Sequence, residues 1–441
     1  VLAGAVDPDE AQTYTHQVLD QQAVFRPITK ATFSLVPGAA HVMADKAVAI
    51  ATEGRPGPVH IDVPITVADT LVPKTAPPSR RPAAPTQPAG ETLALARQWL
   101  TDAVRPVIVA GVDAMNEGAG PALTRFAETY GVPVITTYKA KGLLPEDHAQ
   151  ALGGAGLSPL ADKHLLPVLE AADLILCLGY DPIEMRIGWR DAWTPDTQRV
   201  IDVTAAPNHH YMHQSSINII ADGAATLQAI SETVAPRKTW PDGMIETTKA
   251  ALAAAFPTDN DWGPAAVIDV CRSTLPRNTI ATADSGAHRI LLSQMWQCYA
   301  PRGLLQSSAL CTMGCAVPLA MGASIAAAGK PVVSFSGDAG FLMIAGELAT
   351  AAELGLNTIF VVFVDASLAL IELKQRSRQL KNAGVDFSEH DFAAIGRAFG
   401  GTGVTVDNRA ALKSALEQAL EAETFTVIAA KIDRGGYDGR I

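Results

Sequence analysis

Residues Pro331 to Ser336 form an apolar, partly β-branched run that reads as a buried strand. The turn Gly337-Asp338-Ala339-Gly340 follows it directly, ahead of an apolar helical pattern from Phe341 to Leu354. A helix that starts at a glycine turn presents unpaired backbone N–H groups and the positive end of its dipole, which suits a phosphate. Asp338 would then stand beside that phosphate as a carboxylate, and two such anions repel unless a cation lies between them. Their hard oxygen atoms select magnesium or calcium. A second carboxylate is available, because the next apolar run, Thr358 to Val364, ends in Asp365, 27 residues after Asp338. That gap holds one crossover helix and one further parallel strand, which brings both acids to the same edge of a sheet. Each acid alone has an ordinary reading, Asp338 as a helix cap and Asp365 as a turn residue. Their joint spacing is what points to one shared cation.

Other residues with chemical potential are less organised. The five cysteines, Cys177, Cys271, Cys298, Cys311 and Cys315, are odd in number and scattered, and read as reduced thiols of a cytoplasmic protein. Cys311 and Cys315 lack the second Cys or His pair of a zinc site, so core or pocket lining is the simpler role. The Gly153-Gly154-Ala155-Gly156 cluster lacks the spacing of a dinucleotide fingerprint and reads as a plain loop. A net charge of −11, from 45 acidic and 34 basic residues without a basic stripe, argues against nucleic acid or an anionic membrane as partner. The longest uncharged stretch, Gly303 to Gly329, is interrupted by Gln306, Thr312, Pro318 and internal glycines, unlike a membrane span. No signal peptide opens the chain.

The elements that must position these residues follow from the remaining pattern. With 441 residues, 48% hydrophobic and 18% charged, the chain has the composition of a globular protein of two or three domains. A buried strand is expected at Pro58 to Pro64. From Val72 to Gly90 six prolines without hydrophobic periodicity read as an extended linker. Apolar runs at Pro106 to Ala110, Pro133 to Thr136, Leu174 to Gly179 and Val200 to Val203 alternate with helical patterns. So do Thr279 to Thr282, Val332 to Ser336, Thr358 to Val364 and Phe425 to Ala430. Strand and helix in turn predict an α/β protein of successive doubly wound parallel sheets. The expected organisation is a partial first domain at 1–71, the linker at 72–90, a central Rossmann-like domain at 91–235, a second linker at 236–264 and a last domain at 265–441.

The stretch GDAGFLMIAGELATAAELGLNTIFVVFVDASLALIELKQ resembles the signature of thiamine-diphosphate enzymes, in which Gly-Asp-Gly is followed, after a helix and a strand, by Asn-Asn or Asn-Asp. Upstream, TADSGAH (Thr282 to His288) and LCTMGCAVPLAMGAS (Leu310 to Ser324) resemble the diphosphate and pyrimidine-contact loops of the acetolactate synthase branch. THQVLDQQAVFRPITK, EGRPGPVHIDVP and LGYDPIE look like the catabolic, flavin-free kind, so the resemblance spans nearly the whole chain. It implies thiamine diphosphate and Mg2+ as cofactors, without FAD, and a first domain present only in its C-terminal part. Magnesium would be held by Asp338, Asp365 and the backbone carbonyl of Ser367. The diphosphate would meet Gly286, Ala287, His288, Gly337, Ala339 and Gly340, with Leu368, Ala369 and Leu370 in the cofactor turn. The backbone carbonyl of Cys311 would accept from the aminopyrimidine, and Met313 would be the apolar prop that bends the cofactor, bringing its amino group to the reacting carbon. The alternative for Met313 is a core methionine.

Three departures stand out: Ala339 in place of the usual second glycine, Val364 where the first Asn is expected, and Leu368 in a variable turn. Lys374 occupies the position of a substrate-selecting Trp or Gln, and either pairs with a substrate carboxylate or is a charge on a solvated helix face. The glutamate that activates the cofactor in relatives has no counterpart here, since the motifs imply that the chain starts beyond it; the catalytic acid is therefore unassigned. The resemblance implies a carboligase that decarboxylates a 2-oxo acid such as pyruvate and joins the two-carbon unit to a second carbonyl compound. A plain 2-oxo acid decarboxylase is the alternative, disfavoured because the His209-His210 pair lies away from the expected site. A non-catalytic cofactor-binding subunit is the third reading. A homodimer or homotetramer is implied, because family sites form between subunits.

Overall fold

The computed structural model describes residues 1–72, 84–208, 210–307 and 310–441. Residues 73–83, the greater part of the Pro-rich segment expected to be a linker, and His209 of the His-His pair lie outside them. The chain forms two units, Val1–Thr86 and Gln87–Ile441.

In the smaller unit, β1 (Leu2–Ala5), β2 (Ala31–Ser34) and β3 (Val59–Pro64) make a parallel sheet in the order β1-β3-β2. The expected strand at Pro58 to Pro64 is its centre, where Val59 and Ile61 bury against Ala47 of the helix Ala40–Thr52. His60 is fully buried and stacks on Phe25 with ring centroids 4.2 Å apart.

The larger unit holds two six-stranded sheets, both parallel throughout. The first contains β4 (Pro106–Ala110), β5 (Val134–Thr137), β6 (Ala151–Ala155), β7 (Leu174–Leu178), β8 (Arg199–Thr204) and β9 (Ile217–Ile220), in the order β6-β5-β4-β7-β8-β9. The second contains β10 (Ile280–Ala283), β11 (Leu304–Gln306), β12 (Val332–Gly337), β13 (Ile359–Val364), β14 (Thr402–Val406) and β15 (Thr426–Lys431), in the order β11-β10-β12-β13-β15-β14. Successive strand residues point to opposite faces, and both faces are covered, so the strands read as continuous apolar runs. Ile108 and Ala110 enter one core of the first sheet while Val107 and Val109 enter the other. Val333 and Phe335 are similarly separated from Val332 in the second. The architecture is α/β and doubly wound, as the alternating pattern predicts.

Three local expectations are corrected. The Gly153-Gly154 cluster is not a loop but part of edge strand β6. Its register against β5 shifts, and Gly153 adopts φ +84°, so the glycines mark a bulge. The segment 236–264, expected as a linker, carries the helix Met244–Ala255, with Trp240 and Ile245 buried in the core beneath β4 and β7. The helical pattern from Phe341 to Leu354 begins earlier, at Asp338, and is broken: a helix Asp338–Leu342 gives way to a 3-10 turn at Ala345–Glu347 and a second helix, Leu348–Glu353.

The two sheets of this unit meet along a tight seam. Lys141, buried, pairs with Glu146 at 2.5 Å, and the second oxygen of Glu146 accepts the backbone N–H of Cys298 at 2.7 Å. Gly142 has φ +83°, and a Cβ there would lie 2.1 Å from the carbonyl oxygen of Ala300. Gly142→Ala therefore adds left-handed backbone strain to a collision with main chain that cannot turn aside. It is expected to cost about 2–4 kcal/mol, read as a fall in melting temperature; an unchanged melting temperature would show that the seam is loose.

Candidate functional site

In the second sheet the chain leaves β10 toward β11 and leaves β12 toward β13, in opposite directions. At such a switch point the connections diverge and a crevice opens at the carboxyl ends of the two adjacent strands. A cavity of about 190 Å³ occupies that place. Gly286, Ala287 and His288 reach it from the loop after β10, and Met313 from the loop ahead of the helix Ala316–Ala326. Gly337, Asp338, Ala339 and Gly340 reach it from the turn after β12, and Asp365, Ser367, Leu368, Ala369 and Leu370 from the end of β13. Cys311 does not line it, but its carbonyl accepts from the hydroxyl of Ser285, which does. Lys374 is exposed on the helix Ala369–Ser377 and is not part of the lining.

The two acids are held by backbone. One oxygen of Asp338 accepts the N–H of Ala339 at 2.8 Å, and the other accepts those of Asp365 at 3.2 Å and Ala366 at 2.8 Å. Ala366 takes φ +51°, so the chain curls around the Asp338 carboxylate as it leaves β13. Asp365 in turn accepts the N–H of Ser367 at 3.2 Å. A carboxylate has about four acceptor sites, so Asp338 retains capacity for a metal. Burial raises the Asp338 carboxyl above its ordinary range, against the pull of its three N–H donors. Asp365 is pushed up to about 7, first by burial and then by the neighbouring Asp338 charge. Two acids in this state are an electrostatic debt that a divalent cation removes.

The phosphate side is equally specific. His288 is buried, stacks on Phe363 at 5.5 Å and is lowered to about 3 by burial and then by Arg289, so its ring is neutral. Its Nε2 has no hydrogen-bond partner. A Cβ on Gly286 would press on that ring at 2.7 Å, and one on Gly340 would meet a carboxylate oxygen of Asp284 at 2.0 Å. Asp284, fully buried, accepts from Ser285 and Cys315 backbone N–H groups at 2.9 and 3.3 Å, tying the loop after β10 to the loop that carries Met313.

Sequence comparison matches residues 93–230 to the thiamine pyrophosphate enzyme central domain and residues 284–430 to the thiamine pyrophosphate enzyme C-terminal TPP binding domain, together about two thirds of the chain. The chain belongs to the thiamine pyrophosphate enzyme family. Among family members it is 29% identical to the acetolactate synthase of Bacillus subtilis over 98% of this chain and 77% of that protein. It is 26% identical to the catabolic acetolactate synthase of Raoultella terrigena, over 98% of this chain and 78% of that one. It is also 29% identical to a probable 2-ketoarginine decarboxylase of Pseudomonas aeruginosa, over 87% and 68% of the respective chains.

The residues present fit the thiamine pyrophosphate of this family: two oxygen-donor acids, a glycine-lined turn at a helix start, and a buried neutral imidazole with an unpartnered nitrogen. Sequence reasoning missed Phe363, Ile371 and Tyr437, which also line the cavity. Phe363 and Ile371 lie in the sequence only as apolar residues of a strand and a helix. Tyr437 follows the last strand in DRGGYDGR, a stretch without periodicity, and nothing local signals that it turns back to the site. Because Asp365 holds its proton to about 7 in the metal-free protein, filling the site below that pH must displace it. Magnesium and thiamine diphosphate together should bind more tightly as pH rises toward 8 and release close to one proton at about pH 6. Calorimetry in buffers of different ionisation enthalpy measures this, and Asp365→Asn should lower the release, leaving only what the cofactor's own phosphate gives up.

Proposed function

We propose that this enzyme is a thiamine-diphosphate-dependent carboligase resembling acetolactate synthase. It decarboxylates a 2-oxo acid such as pyruvate and transfers the two-carbon unit to a second carbonyl compound. The observation that carries the proposal is the Asp338–Asp365 pair in a crevice whose other wall offers glycine-turn N–H groups and His288, in a chain alignable along 98% of its length with acetolactate synthases. Asp338, Asp365 and the carbonyl of Ser367 would hold Mg2+. The backbone of Gly286, Ala287, His288, Gly337, Ala339 and Gly340 would bind the diphosphate, flanked by Leu368, Ala369 and Leu370. Met313 would shape the bound cofactor and the Cys311 carbonyl would orient its amino group. When bound, the cofactor supplies a ring carbon that takes up the electrons released with carbon dioxide. The protein's share is to hold charge, orient the reacting groups and exclude water. Lys374 has no role in this proposal, since it stands outside the cavity.

The proposal includes no FAD. The first sheet has its own switch point, between β4 and β7, but the chain fills it. Gly111 packs on Gly179 so closely that a Cβ would lie 2.3 Å from its carbonyl oxygen. Glu184 of LGYDPIE, buried, accepts the N–H of Val112 at 3.2 Å and the hydroxyl of Thr137. An acidic side chain thus sits where a nucleotide phosphate would approach. We read the protein further as a cytoplasmic homodimer or homotetramer with domains at 1–71, 91–235 and 265–441; no helix among the described residues is long and apolar enough to cross a membrane.

The name of the Pseudomonas relative keeps a second reading open, a decarboxylase that releases an aldehyde. Incubation with pyruvate, Mg2+ and thiamine diphosphate separates the two: acetolactate supports the carboligase, and acetaldehyde alone ends it. Asp338→Asn and Asp365→Asn should each lower turnover by about 100-fold or more at limiting Mg2+, with partial recovery at high Mg2+. The purified protein should lack flavin absorbance; a stoichiometric flavin band would overturn that part of the proposal.

A further inference from the structure

The C-terminal tail after β15 turns back over the end of β13. Tyr437 on this tail is 3% exposed and lines the same cavity as Asp338 and Asp365. Its position is fixed from both sides. Arg434, three residues earlier, donates to the carbonyls of Asp365 and Ala366 at 3.3 and 3.0 Å and lies 3.2 Å from Asp386. Asp438, one residue later, receives both terminal nitrogens of Arg376 at 2.7 and 2.8 Å. Arg376 lies on the helix that begins at Ala369, directly after the acid-bearing turn. The ring is thus pinned between two arginine clamps anchored on the elements that carry the acids.

We propose that Tyr437 is a further binding residue of the cofactor site, its hydroxyl donating to the anionic oxygens of the magnesium–diphosphate group. This rests on the reading of the cavity given above. The donors argued so far come from β10 and β12, on one side of the acid pair. Tyr437 follows β15, the neighbour of β13 on the other side, so it supplies the flank that otherwise has none. Packing alone would be met by phenylalanine, whereas a phenol at a buried site calls for a polar partner. The arginine clamps are solvent-exposed pairs of the kind that add little to stability. Their effect is to place the ring.

The test uses the whole chain and measures binding directly. Thiamine diphosphate is titrated at fixed Mg2+ by calorimetry or by tryptophan fluorescence in the wild type, Tyr437→Phe and Asp438→Asn. Tyr437→Phe should keep the melting temperature of the ligand-free protein and weaken the dissociation constant by about tenfold or more, as expected for a hydrogen bond to a charged group. Asp438→Asn, which loosens the tail without removing the phenol, should weaken binding by less. Wild-type affinity in both variants overturns the role of Tyr437 while leaving the cofactor reading intact. Failure of the wild type to bind thiamine diphosphate at all overturns that reading, and this inference with it.

Discussion

Two carboxyl groups brought together out of water, at the ends of adjacent parallel strands, are the constraint around which this site is built. Separately, burial of Asp338 or Asp365 would favour a neutral acid; together, the charge on Asp338 pushes Asp365 still further. The chain tolerates the arrangement because it lends backbone to it. Three N–H groups converge on Asp338, and Ala366 is bent into the left-handed region to deliver one of them. That strain, of order 1–3 kcal/mol for a non-glycine residue, is acceptable where the surroundings over-determine the turn. The result is a preformed pair of carboxyl groups whose mutual repulsion is relieved by a proton on Asp365 or by a cation between them.

The topology explains why the pair is useful. The two six-stranded sheets of the larger unit are wound in different orders, but in each the chain leaves two adjacent strands in opposite directions, β4 and β7 in the first and β10 and β12 in the second. In the second sheet the residues after β10 and β12 are small, and the crevice stays open. In the first, Gly111 and Gly179 let main chain touch main chain, and Glu184 covers the N–H of Val112, so the equivalent crevice is closed. One switch point is thus open and the other is occupied by the chain itself. Which of the two can take a ligand is set by the residues at the strand ends.

Much of this was legible in the sequence. The strands at Pro106 to Ala110 and Thr358 to Val364 are uniformly apolar because both faces of the sheet are covered, and such runs survive any detail of packing. The spacing of Asp338 and Asp365 encodes one βαβ step, which is nearly a geometric identity. What was not legible depends on distant contacts. The glycines of β6 look like a loop because a bulged edge strand uses the same residues. The break after Leu342 has no proline to announce it, and Gly346 alone is weak. Glu184 and Tyr437 acquire meaning only when the chain returns to place them, one against the helix start at Val112 and the other over Asp365.

The departures from the family pattern can now be weighed by what each side chain touches. Ala339 replaces a glycine at the second position of a helix, a conformation alanine prefers. The glycine the site requires is Gly340, where any Cβ would strike the Asp284 carboxylate. Val364 replaces an expected asparagine, but strand alternation directs Phe363 and Asp365 to the cavity and Val364 to the opposite core, beside Phe360 and Val362. An amide there would be buried among hydrocarbons, turned away from the two acids. Both replacements therefore leave Asp338 and Asp365 in place, and of the three departures only Leu368 puts a changed side chain against the cavity without such an account.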